Sequence, residues 1–94
     1  MLTAEQNDAL TRVGPGTPMG ELMRRYWHPI AAQVELAGHW TKRVRLLGED
    51  LVLFRDRRGE VGLIEEYCPH RRASFAWGMP TADGIRCPYH GWEF

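Results

Sequence analysis

Two short segments of the 94-residue chain combine soft and borderline metal donors: Cys68-Pro69-His70 and Cys87-Pro88-Tyr89-His90. The pattern is Cys-x-His, sixteen intervening residues, then Cys-x-x-His. In extended backbone, residues two apart project to the same side, so Cys68 and His70 can converge. A turn brings Cys87 and His90 together in the same way. Each Cys precedes a proline, which biases it toward extended geometry. Gly78 and Gly91 permit tight reversals or close backbone approach beside these loops. Two loops that each offer a thiolate and an imidazole can clamp an inorganic centre. A single zinc held by both Cys and both His is one candidate. Zinc fingers, however, usually group Cys with Cys and His with His. Loops that mix the two types suit a binuclear iron–sulfur centre better, with two His replacing two Cys on one iron.

Composition limits where such a centre could sit. With only two Cys, an all-thiolate site is impossible within one chain, and any metal site must recruit His. The amino terminus has no basic segment followed by an apolar stretch, so a secretory leader is not expected and a structural disulfide is a poor prospect. Twelve basic and twelve acidic residues leave no net charge, which argues against a nucleic-acid binder. No apolar run approaches the ~20 residues of a membrane span. The expected setting is the cytoplasm. The length allows one small domain, and a chain of this size buries only about 60–65% of its unfolded surface, so a stabilising staple is expected.

The elements that must position the loops are legible in outline. Thr3 with Gln6 fits a capping box for a helix over Thr3–Val13, ended by Gly14-Pro15-Gly16. Thr17 as N-cap and Pro18 at the first position start a second helix that runs to about Tyr26, with Met19, Met23 and Tyr26 on a core-facing stripe. From Ile30 the pattern changes to strands. Val44 and Leu46 alternate with Arg43 and Arg45, Gly48-Glu49-Asp50 turns the chain, and Leu51–Arg55 returns. Asp56-Arg57-Arg58-Gly59 reads as a type I turn with a left-handed Gly before a strand over Val61–Glu65. After Glu66 strand signal returns only near Ile85-Arg86 and Trp92–Phe94. The expected fold is mainly β, a small antiparallel domain with short amino-terminal helices. Its organisation is a helical lead-in (1–29) followed by the metal-loop domain (30–94).

CPHRRA, the sixteen-residue spacing and CPYHGW resemble the Rieske [2Fe–2S] motif of aromatic-ring-hydroxylating oxygenases. GPGTPMGELMRRYWHPIA and RVRLLGEDLVLFRD are similar to the amino-terminal region of phthalate 4,5-dioxygenase-like oxygenase subunits. The resemblance implies one [2Fe–2S] cluster, with Cys68 and Cys87 on one iron and His70 and His90 on the other. High-potential Rieske proteins carry two extra, disulfide-forming cysteines where this chain has Ala73 and Tyr89, and a Ser where it has Trp92. Fewer hydrogen bonds to the sulfurs imply a potential near the low end of the roughly −150 to +300 mV Rieske range. Two neutral imidazoles in place of thiolates make the oxidised cluster formally neutral, which eases one-electron reduction. Arg71 and Arg72 either add to the positive field beside His70 or are solvated loop charges.

Other residues have plainer readings. His28 and His39 are lone histidines, packed or exposed. Trp77 and Trp92 shield the cluster or pack in the core, and Tyr89 covers the loop or packs. Arg55, Arg57 and Arg58 are turn charges, and Arg24 and Arg25 are available to another subunit. The family's oxygenases also use a mononuclear Fe(II) held by two His and a carboxylate, in a carboxy-terminal catalytic domain that has no counterpart in these residues. The end at Trp92-Glu93-Phe94 reads as a truncation within a strand. The resemblance thus implies an electron-transfer module of a hydroxylating or O-demethylating oxygenase. Its implied partners are a reductase or ferredoxin donor and neighbouring subunits of a trimer-based homo-oligomer. A free-standing Rieske ferredoxin and a structural zinc module are the alternatives.

Overall fold

The computed structural model describes residues 1–94. Helix α1 (Ala4–Thr11) starts at a Thr3–Gln6 capping box, as the sequence predicts, and buries none of its residues. Helix α2 (Pro18–Met23) is capped by the Thr17 hydroxyl, which accepts from the Gly20 amide. It is shorter than expected. Beyond Met23 the backbone tightens to Arg25→Leu22 and Tyr26→Met23 hydrogen bonds, and Tyr26 turns out to solvent, so the Met19–Met23–Tyr26 stripe does not form.

The remainder is antiparallel β structure with 3-10 turns at Gln33–Leu36 and Phe75–Trp77. Strands β1 (Thr41–Leu46), β2 (Glu49–Arg55) and β3 (Val61–Glu65) form a meander in that order, and β4 (Met79–Pro80) pairs with β5 (Ile85–Arg86). The first hairpin turns at Leu47-Gly48, one step earlier than the composition suggests. Both residues have positive φ (51° and 78°), the two-residue turn whose twist matches antiparallel strands. The second turn is as expected, with the Gly59 amide bonded to the Asp56 carbonyl at 3.1 Å and Gly59 left-handed.

Period-two alternation then sorts the sheet's faces. Val52, Phe54 and Ile64 face the metal loops, packing with Phe75, Ile85, Cys68 and Cys87 in one apolar cluster. Leu53 faces the other way, together with Leu36, Ile30 and Leu63. Gly62 is required because the Phe54 ring lies over its backbone, where a Cβ would meet ring carbons at 2.5 Å. The core is small: 13 of 94 residues are buried, so the two cysteines are a substantial part of it.

The lead-in lies mostly off this core. The radius of gyration is 16.1 Å, against about 12 Å for a compact chain of this length. It is tied down by Arg24, which donates to the carbonyls of Val13, Gly20 and Leu47 and pairs with Glu49 at 2.8 Å. One guanidinium thus joins α2 to the first hairpin, an intramolecular role for a residue otherwise available to another subunit. Glu35 similarly holds the Gln33–Leu36 turn to β1 through Lys42, whose ammonium keeps the Glu35 carboxyl below its ordinary range. No helix is long and apolar enough to cross a membrane.

Two substitutions probe this arrangement. Gly62→Ala forces the Phe54 ring out of place and is expected to cost about 1–3 kcal/mol in denaturant unfolding. Arg24→Gln is expected to leave the unfolding midpoint of the β core nearly unchanged while limited proteolysis within residues 1–29 becomes faster.

Candidate metal centre

The two metal loops have the same backbone frame. The Cys68 amide bonds the Ala73 carbonyl at 2.8 Å, and the Cys87 amide bonds the Trp92 carbonyl at 2.7 Å. The Arg72 amide returns to the Cys68 carbonyl at 2.7 Å, and the Gly91 amide returns to the Cys87 carbonyl at 3.0 Å. Each loop is closed at its base by an antiparallel bridge, Tyr67 with Ser74 and Arg86 with Glu93. Each also turns through one left-handed residue, Arg72 (φ 64°) in the first and Gly91 (φ 78°) in the second. Arg72 accepts that conformation with its guanidinium 4.9 Å from the centre of the Tyr67 ring.

Equal frames present their Cys side chains equally. Both thiols are free and enclosed by the core, at 1% and 3% exposure. Burial pushes the Cys87 thiol up, but the Tyr89 and His90 amides and the Cys68 thiol all hydrogen-bond to it and bring it below the ordinary thiol value. A core that would otherwise repel a thiolate therefore supplies donors for one. The imidazoles occupy the other, solvent-facing end. His70 Nδ1 and His90 Nδ1 oppose each other at 3.1 Å, with ring centroids 4.8 Å apart. One of the two nitrogens donates and the other accepts in this contact.

The four donors thus form two pairs, a buried thiol pair and an exposed imidazole pair. No three His, Cys, Asp or Glu side chains gather as a single-ion site. Tetrahedral zinc needs all four ligands around one point, whereas a binuclear cluster takes one pair per metal, so the donor set fits [2Fe–2S] better.

Aromatic groups frame the imidazoles. Trp92, from the second loop, stacks on His70 of the first, with centroids 4.1 Å apart and planes 11° from parallel. Tyr89 lies 4.0 Å from the His90 ring. Trp92 remains half-exposed and covers one face of one imidazole. Trp77 is 77% exposed, so neither shielding nor core packing describes it. His28 Nε2 donates to the Met23 carbonyl at 2.7 Å, and His39 is exposed; both are separate from the loops. Arg71 and Arg72 are exposed. Gly78 has the close-approach role expected of it, since a Cβ there would lie 2.9 Å from Ile85 Cδ1.

Sequence reasoning missed the polar supports of the loops. Glu66 is buried and pairs with Arg43 at 3.0 Å and with the Ser74 hydroxyl at 2.8 Å. Thr81 Oγ1 donates to Glu93, securing the second loop. A signal for Glu66 existed, because it falls in the same inward phase as Gly62, Ile64 and Cys68.

The paired left-handed positions give an asymmetric prediction. Gly91→Ala is expected to destabilise the chain by about 1 kcal/mol, whereas Arg72→Gly, which relieves strain but loses the Tyr67 contact, should fall within about 0.5 kcal/mol of the parent. Parallel denaturant titrations measure both.

A family model described as the Rieske [2Fe-2S] domain matches residues 26–94. The chain is 64% identical over 94 residues to the 5,5'-dehydrodivanillate O-demethylase oxygenase subunit of a Sphingobium species, covering 100% of this chain and 22% of that protein. It is 54% identical over 91 residues to the tert-butanol monooxygenase / tert-amyl alcohol desaturase oxygenase subunit of Aquincola tertiaricarbonis, covering 97% and 19%. It is 50% identical over 95 residues to the phthalate 4,5-dioxygenase oxygenase subunit of Pseudomonas putida, covering 99% and 22%. The chain therefore spans about a fifth of the length of the curated relatives it matches. A mainly antiparallel β fold with two Cys/His loops and this match over residues 26–94 lead to one assignment: the chain belongs to the Rieske [2Fe-2S] domain family.

Proposed function

We propose that this chain is the electron-transfer module of a non-haem iron oxygenase, with Cys68 and Cys87 ligating one iron of its [2Fe–2S] cluster and His70 and His90 the other. The observation that carries the reading is the pairing of donors: opposed Nδ1 atoms at 3.1 Å beside a pair of free thiols buried in one cluster. When bound, the cluster supplies one-electron exchange.

The residues divide the remaining work. The apolar cluster of Val52, Phe54, Phe75 and Ile85 keeps water from the thiols. The Tyr89 and His90 amides stabilise thiolate at Cys87. His70 and His90 stand at the exposed end, where an electron can enter or leave over a short distance, and Trp92 and Tyr89 limit how their rings turn. Residues 1–29 are the lead-in, and residues 30–94 carry the cluster.

Similarity to proteins named as O-demethylase, monooxygenase and dioxygenase oxygenase subunits supports the wider setting. In it, a reductase or ferredoxin delivers electrons, and the module passes them to a mononuclear iron in a catalytic domain outside these residues. Trimer-based homo-oligomers and hydroxylation or O-demethylation of an aromatic acid belong to the same proposal. The oxygenase-subunit names of the relatives favour this over a free-standing ferredoxin.

Anaerobic reconstitution tests the core of the reading. About two iron and two labile sulfide per chain are expected, with a Rieske-type paramagnetic resonance signal after dithionite reduction. Stoichiometric zinc without labile sulfide would overturn it. His90→Cys puts an anionic thiolate in place of a neutral imidazole, so the potential of a loaded cluster should fall. An unchanged or higher potential would contradict the electrostatic account.

A further inference from the structure

Glu66 carries a buried carboxylate. The residue is 6% exposed, in a domain whose other charged groups lie at the surface. It occupies the first arm of the first metal loop, two residues before Cys68. The chain bends at Glu66 as it leaves β3 and is then paired through Tyr67, which bridges Ser74 and is flanked by the Cys68→Ala73 and Phe75→Glu66 hydrogen bonds at 2.8 and 2.7 Å. Glu66 and Cys68 therefore project to the same, buried face, while Tyr67 between them points out.

Three elements meet at this one carboxylate. Ser74, on the second arm of the loop, donates to Oε2 at 2.8 Å and accepts the Ala76 amide at 3.2 Å. Arg43, on β1, forms an ion pair with the same oxygen, its Nε 3.0 Å away. The Glu66 amide bonds the Asp50 carbonyl at 3.0 Å, which fixes the arm to β2. Thr41 of β1 also reaches the second arm, through the Ala76 carbonyl at 2.7 Å. Burying a carboxylate is costly unless it is paired and hydrogen-bonded, and here every buried side-chain polar atom has a partner. The second loop has no equivalent, because its base is held by main-chain pairing and the Thr81–Glu93 contact at the surface.

We infer that Glu66 is a positioning residue for the [2Fe–2S] cluster, clasping both arms of the first loop to β1 and placing a fixed negative charge on the Cys68 side of the site. The inference rests on the cluster assignment proposed above. Two consequences separate its mechanical and electrical parts. Loss of the clasp lets the arms of the first loop separate, which speeds cluster loss. Loss of the charge removes an anion that opposes electron addition, which raises the reduction potential. Removing its partner cation Arg43 has the opposite electrical effect but the same mechanical one.

The test uses the full chain, reconstituted with iron and sulfide, as parent, Glu66→Gln, Arg43→Gln and the double variant. Release of the cluster to a chelator and the midpoint potential in a dye-mediated titration are measured for each. Faster release is expected for both single variants, with the potential shifted upward for Glu66→Gln, downward and by less for the more exposed Arg43→Gln, and near the parent for the pair. A purely structural role would move both potentials in one direction or neither, and either result overturns the inference, as does parent-like release from both single variants. Should Glu66→Gln not fold or load, the downward shift of Arg43→Gln and the double variant's return toward the parent decide the matter; absence of that shift overturns it. A parent chain that takes up no cluster defeats the proposed function instead.

Discussion

The contact between the Cys68 and Cys87 thiols is the constraint on which the rest of the structure depends. Both belong to the same apolar cluster as Val52, Phe54, Phe75 and Ile85, so the cysteine end of the loops and the hydrophobic core are one region. A chain that buries so few side chains has little other means of holding two long loops together. In this family, where the loops hold a cluster, ligand binding and core formation are therefore coupled, because binding free energy becomes folding free energy.

From that shared base the loops diverge by one residue, and the difference orders the site. Their main-chain frames coincide, yet the imidazole comes two positions after Cys68 and three after Cys87. The thiols consequently meet in the interior and the imidazoles meet at the surface. Low dielectric around the sulfurs and solvent around the nitrogens follow from this polarity. Trp92 reinforces it by crossing from one loop to stack on the His of the other.

Polar supports act at the edges of this arrangement. Glu66 ties the first loop to β1, and Arg24 ties the lead-in to the first hairpin. Both are single side chains that bridge elements distant in sequence. One open cleft of about 320 Å³ lies beside Trp40 and Arg55, and another of about 210 Å³ lies beside Tyr67 and Arg72 of the first loop.

The sequence by itself determined the two Cys/His loops, the family resemblance, the capping box at Thr3, the N-cap at Thr17 and the alternation of the three-stranded meander. These are local signals: residue type, short spacing and period carry them without reference to distant partners. The Leu47-Gly48 turn escaped because a leucine gives no sign of a left-handed conformation, and α2 stopped early because its outer stripe found no core to cover. Only the tertiary structure decided that the two Cys and two His divide into a buried and an exposed pair, that Trp92 rather than Trp77 accompanies the imidazoles, and that Glu66 is buried with Ser74 against it and Arg43 paired to it from the surface. Each of these depends on contacts between segments far apart in the chain, where packing selects the partner and spacing alone does not.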